Sequence, residues 1–166
     1  HSTRFLVRAI NDENIKSNVV CIDPQPRAAL HGLDITFIRL PIQQLDLKGL
    51  PALQKGDILF IDSSHICVPG SDVDLIVNRI LPGLPSGVFI HFHDIFLPDP
   101  YPENWGWREY NEQLIISALL AGKKVNPIFS SYFIRNYAPQ HLRELGFDWI
   151  QVPPGSIECS LWLETR

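Results

Sequence analysis

Two segments of the chain place ionisable side chains at the end of an apolar run. Ile58-Leu59-Phe60-Ile61 leads into Asp62-Ser63-Ser64-His65, and Gly87-Val88-Phe89-Ile90 leads into His91-Phe92-His93-Asp94. Carboxylates and imidazoles that converge can share a divalent ion or move a proton. Burying Asp62 beside apolar neighbours is costly unless it is paired or metal-bound. The plainer alternative is that Asp62 caps the Ser63-Ser64 turn. His91 and His93 point to one face of their strand because side chains alternate, and Asp94 follows at its end. Asp62, His93 and Asp94 are therefore candidate metal ligands, with His65 and His93 as candidate bases. Each histidine also has a bland reading: a satisfied side chain under the sheet for His91 or His93, a solvated loop residue for His65.

The elements that must position these residues follow from periodicity and punctuation. Short apolar runs flanked by turn residues suit strands buried on both faces of a parallel sheet. Ligands of such open sheets bind beyond the carboxyl ends of the strands. If segments 57–62 and 88–92 are neighbouring parallel strands, they lie about 4.8 Å apart and their charged ends meet. The remaining pattern predicts a helix over 3–14, capped by Ser2 or Thr3, with Phe5, Leu6, Ala9 and Ile10 on one face. Strands follow at 18–23 and 35–40, with a helical turn at 27–30 and a weak helix at 45–53. Ser71-Asp72 caps a helix running to Leu81 with Val73, Ile76, Val77 and Ile80 inward. Segment 97–107 is a loop rich in Pro and aromatics, of the kind that is often functional. A helix over 109–121 carries Leu114, Ile115, Ala118 and Leu119 inward. A strand at 125–130, a helix at 139–145 and a strand at 157–163 complete the chain. Alternation of this kind predicts an α/β fold with a doubly wound, mostly parallel sheet. The Pro153-Pro154-Gly155 turn allows the final strand to run antiparallel.

Composition narrows the functional classes. At 166 residues, one domain burying roughly 70% of its unfolded surface is expected. With 45% hydrophobic and 19% charged residues the chain reads as soluble and globular. The net charge of −4 and the lack of a Lys/Arg block argue against a nucleic-acid or anionic-membrane binder. No run of about 18 apolar residues predicts a transmembrane helix. Cys21, Cys67 and Cys159 match no zinc or redox spacing. Inert thiols fit a reducing, cytoplasmic compartment. The chain has no Met, which suggests a piece of a longer protein.

Asp23 ends the strand Val19-Val20-Cys21-Ile22. In dinucleotide-type sites an acid at that point accepts hydrogen bonds from ribose, roughly 20 residues after a glycine-rich turn. That spacing puts the turn just before His1. A turn-forming Asp before Pro24 is the alternative. Trp105, Trp107 and Tyr110 either cover a ligand or anchor their loop, and Glu112 faces either the site or solvent.

Together these residues resemble a class I S-adenosylmethionine-dependent methyltransferase, of a subfamily of small bacterial members. The segments that carry the likeness are His1 to Phe5, Cys21 to Pro24, Gly56 to His65, His91 to Ile95 and Trp107 to Gln113. The resemblance implies a single Rossmann-like domain over 1–166, with a C-terminal antiparallel strand and with the first central strand and glycine turn lying upstream. It implies that His1, Ser2 and Thr3 end the cofactor loop, that Asp23 binds ribose, that Gln43 borders the adenine and that Asp62 ends the fourth strand near the cofactor. In metal-dependent members that acid binds magnesium with an acidic and amide pair on the fifth strand; His93-Asp94 stands here instead. The implied reaction is methyl transfer from S-adenosylmethionine to a hydroxyl of a small molecule or sugar, with a divalent metal such as magnesium assisting. The implied partners are a small-molecule substrate and a second copy in a homodimer, with no nucleic acid or membrane. Two rivals are a metal-dependent hydrolase using His91, His93 and Asp94, and a non-catalytic interaction domain of methyltransferase-like fold.

Overall fold

In the computed structural model, which describes every residue except Asp148 and Val152, the chain divides into two units, His1–Leu50 and Pro51–Arg166. The first unit holds helix α1 (Ser2–Asp12) and a parallel pair of strands, β1 (Val20–Ile22) and β2 (Thr36–Ile38), with Cys21 opposite Phe37. Neither Ser2 nor Thr3 caps α1: His1 is the N-cap and makes no side-chain bond. The covered face is Leu6, Val7 and Ile10, whereas Phe5 and Ala9 are exposed, because Val7 rather than Phe5 completes the stripe at helical spacing. The helical turn expected at 27–30 is absent, where Pro24 and Pro26 leave irregular bends. Segment 45–53 forms only a 3-10 turn at Leu47–Gly49, held by the Asp46 side chain, after another at Ile42–Gln44.

The second unit is a four-stranded mixed sheet with helical segments. Its strands are β3 (Ile58–Ile61), β4 (Phe89–Phe92), β5 (Val125–Ser130) and β6 (Leu161–Thr165), in the order β3-β4-β6-β5. The two runs that end in charge are neighbouring parallel strands, with Ile61 opposite Phe92. The last strand is antiparallel to both neighbours, as the Pro-Gly turn allows. It starts later than the expected 157–163 and so places Trp162 opposite His91. Ile90, Phe92, Ile116 and Leu163 are fully buried in its core, joined by Ile61, Ile76, Ile95 and Val125. Burial is nearly continuous along β4, as expected of an apolar run, whereas β3 lies at the edge of this sheet and leaves Ile58 47% exposed, against the expectation of burial on both faces.

Helix α2 (Asp72–Leu75) starts where the Ser71 hydroxyl accepts the Asp74 N–H, then continues as a π-helical turn over Ile76–Ile80. Helix α3 (Glu112–Ala121) starts three residues late, because Glu109 takes a left-handed conformation (φ 57°). Its buried residues are Glu112, Gln113 and Ile116, while Leu114 is 70% exposed. The expected inward face was assigned by hydropathy, but the N-terminal turn of α3 packs against polar loop groups. Gln113 accepts the Phe96 N–H and donates to the Asp99 carbonyl. Helix α4 (Ser131–Tyr137), which the apolar pattern did not reveal, precedes α5 (Pro139–Glu144). No helix among the described residues is long and apolar enough to cross a membrane.

Candidate functional site

The parallel pairing of β3 and β4 brings their carboxyl ends side by side, and four of the expected residues meet there. His65 Nε2 lies 3.6 Å from Asp62 Oδ1 and 3.6 Å from Asp94 Oδ2. His93 Nδ1 lies 3.0 Å from Asp94 Oδ1 and 3.7 Å from Asp62 Oδ1. The 3.0 Å contact is too poorly aligned for a hydrogen bond, so His93 Nδ1 is closed to solvent without a partner. His65 and Asp94 both adopt positive φ, 60° and 56°, turning their side chains back across the strand ends. Such conformations persist where the surroundings over-determine them, often at functional sites.

The surroundings of His65 do so. Its carbonyl accepts the N–H groups of Asn111 and Glu112, and its own N–H donates to Ser63 Oγ at 3.0 Å. The Asn111 side chain pairs with both backbone groups of Cys67. Glu112, only 1% exposed, accepts from Ser63 Oγ at 2.9 Å and lies 2.9 Å from His65 Nδ1. A carboxylate only accepts, so Nδ1 carries the proton and Nε2 faces Asp62 and Asp94. Glu112 sits in the first turn of α3, where the helix dipole favours its negative charge.

The charges of the cluster follow from these contacts. Burial alone would lower the His65 imidazole, but contacts with Asp62 and Glu112 and the charges of Glu112 and Asp94 outweigh it and raise its pKa to about 9. The contact with His65 lowers Asp62 below the ordinary carboxylate range. Asp94 is lowered as well: burial opposes, but contacts with His93 and Cys159 and the charge of both imidazoles prevail. The Asp94 carboxylate raises His93. Cys159 donates its thiol to Asp94 Oδ1 at 3.0 Å, and burial together with that bond pushes it up to about 12.

His91 stands apart. Its ring stacks on Phe60 at 3.9 Å and meets the edge of Trp162 at 4.8 Å, while Nε2 pairs with Ser160 Oγ at 3.1 Å. Desolvation pushes its pKa down to about 4. It shares a strand face with His93 but joins no carboxylate; it is a core histidine with Nε2 paired and Nδ1 buried without a hydrogen bond. His91 and His93 therefore do not form the paired ligand set of the hydrolase alternative.

The aromatic loop closes one side of the cluster. Tyr110 packs against the His65 ring at 4.6 Å. Arg108 stacks its guanidinium on Trp105 at 4.0 Å and brings Nη1 within 4.0 Å of Asp94 Oδ2. Trp107 is 79% exposed, with its ring centre 5.3 Å from the Arg108 guanidinium carbon. Sequence reasoning left Glu112 undecided and missed Arg108 and the role of Ser63. An acid in the first turn of a helix was the available signal for Glu112; nothing marked the other two.

Ser2, Thr3, Asp23 and Gln43 belong to the first unit. Ser2 and Thr3 lie in the first turn of α1, and Gln43 is exposed in a 3-10 turn. Asp23 follows β1 and accepts the Gln25 N–H through Oδ1, forming the expected turn before Pro24.

The donors at the β3 and β4 ends suit a divalent ion. Asp62, His65 and His93 each offer one atom within 4.8 Å of the others, as do His93, Asp94 and Cys159, and His93 Nδ1 has no other partner. A family model described as a methyltransferase domain matches residues 1–95, which include every residue of the cluster except Glu112 and Cys159. No curated protein and no solved structure matches the chain. With more than half its length matched, and with parallel strands ending in the expected acids, the chain belongs to the class I S-adenosylmethionine-dependent methyltransferase family.

Proposed function

We propose that the protein transfers a methyl group from S-adenosylmethionine to a hydroxyl of a small molecule or sugar. One observation carries the reading: in a chain of this family, Asp62, His65, His93 and Asp94 converge at the ends of two adjacent parallel strands. The cofactor is assigned to Ser2, Thr3, Asp23 and Gln43 of the first unit. Support comes from the place of Asp23 just past β1, with Oδ1 alone used in its turn. The doubly wound sheet expected from the sequence belongs to this proposal too, and the parallel pairs β1–β2 and β3–β4 support it.

The reaction is an in-line displacement: the acceptor oxygen bonds to the methyl carbon, the sulfur–carbon bond breaks, and the hydroxyl proton leaves to a base. A divalent ion held by Asp62, His93 and Asp94 would, when bound, lower the pKa of that hydroxyl. The residues divide the remaining work by exposure. His65 is 3% exposed and keeps its proton at neutral pH, so it orients Asp62 and Asp94 instead of accepting a proton. Asp62 has a side chain 57% exposed and turns only Oδ1 toward the imidazoles, so its second oxygen can take the acceptor proton.

Calorimetric titration with S-adenosylhomocysteine tests the cofactor half of the proposal. Binding is expected, and no heat at millimolar ligand would overturn it. Transfer of label from S-adenosylmethionine to a panel of hydroxylated small molecules tests the other half. Asp62→Asn should slow that transfer by about 10²–10⁴-fold if Asp62 is the base.

A further inference from the structure

We propose that the strand-end cluster is a nitrogen-bearing metal site that takes zinc, or a similar first-row transition ion, in preference to magnesium, with His65 Nε2, His93 Nδ1 and Asp62 Oδ1 as ligands. The proposal deepens the reading of the same site given above, yet its metal chemistry stands without the cofactor.

Three observations carry it. The first is the orientation of His65. His65 Nδ1 donates to Glu112 at 2.9 Å and Ser63 Oγ donates to the second Glu112 oxygen, so the imidazole turns Nε2 to Asp62 and Asp94, where a bound ion displaces its proton. A buried carboxylate behind a histidine is the usual outer partner of a ligating imidazole, fixing its tautomer and direction. The second is His93 Nδ1, which is closed to solvent with no hydrogen bond and faces the same two carboxylates.

The third is spacing. Asp62 Oδ1 lies 3.6 Å from His65 Nε2 and 3.7 Å from His93 Nδ1, and the three ligand atoms lie within 4.8 Å of one another. Bonds of about 2.05 Å in a tetrahedron put neighbouring ligand atoms about 3.3 Å apart, the nearer match to these separations. The octahedron that magnesium demands, with bonds of about 2.05 Å, needs about 2.9 Å, well below both. Ligand chemistry agrees. Magnesium prefers oxygen and retains water, whereas imidazole suits zinc, cobalt, nickel and copper. Two imidazoles beside one carboxylate therefore favour such an ion over magnesium.

Cobalt(II) titration of the metal-stripped protein reads this directly, with no cofactor present. Binding should give the strong visible bands of a four-coordinate site. Zinc in equal amount should displace the cobalt, and a large excess of magnesium should not. Glu112→Gln should weaken cobalt binding about 10–100-fold while circular dichroism stays native. His65→Ala should weaken it further. Weak octahedral bands, or displacement by magnesium, would overturn the proposal. So would a near-ultraviolet sulfur-to-cobalt band that disappears in Cys159→Ser, because it would put the thiol where His65 is assigned. Failure of homocysteine-cofactor binding with cobalt bands intact would instead count only against methyl transfer.

Discussion

His65 and His91 are equally buried, at 3% and 2% exposed, and both lie in the same unit. One is pushed up to about 9 and the other down to about 4. Burial acts in the same direction on both, against the charged form. The difference is the neighbours. His65 sits beyond β3 among Asp62, Asp94 and Glu112, whereas His91 sits within β4 between Phe60 and Trp162. The strand end thus stores charge, and the sheet interior a few residues away excludes it. The edge between the two regions falls between His91 and His93, whose ring centres are 6.3 Å apart.

Removing the partner that holds His65 in its state should have the largest effect. Glu112→Ala leaves a buried imidazolium and the Ser63 hydroxyl without their acceptor, and should cost about 3–5 kcal/mol in urea unfolding at neutral pH. A loss below about 1 kcal/mol would mean that the pair is not desolvated as the contrast requires.

Stability against pH sharpens the contrast next. The folded pKa of His65 is raised, so its contribution is complete below the ordinary value of 6.5 and is lost as pH rises through about 9. His91 is depressed, so its contribution is complete above 6.5 and is lost as pH falls through about 4. Each amounts to something on the order of 3 kcal/mol. In chelator-treated protein, His65→Gln should flatten the alkaline limb of the stability curve and His91→Leu the acid limb. Alkaline limbs that coincide in the wild type and His65→Gln would remove the contrast.

The smallest effect is expected on the far side of α3. Leu114 is 70% exposed, so Leu114→Ser should change unfolding by no more than about 0.5 kcal/mol. A larger loss would return Leu114 to the inward face that its hydropathy suggested.

That helix shows where the sequence stopped being legible. Its existence followed from the apolar residues of 114–120, but hydropathy could not tell that a glutamate and a glutamine would be the buried side chains of its first turn. Their burial depends on partners 49 and 17 residues away, Ser63 and the Phe96 N–H, which no local pattern encodes. The late start of β6 and the presence of α4 were hidden for the same reason: the pairing of Leu161 with Phe92 and Ser130 fixes them.

The strands, by contrast, could be read. Ile58–Ile61 is apolar throughout and β4 is apolar except for His91, a pattern that fits strands packed in a sheet, so the charged residues that follow emerge at its rim. The sequence by itself therefore determined which residues reach that rim: Asp62, His65, His93 and Asp94. It also determined the family likeness that residues 1–95 carry. Tertiary structure alone decided what those residues become. The β3–β4 register sets His65 and His93 each within 3.0–3.7 Å of Asp62 and Asp94, and α3 delivers Glu112 to His65. Charge state depends on distance and desolvation, and both come from packing between segments remote in the chain.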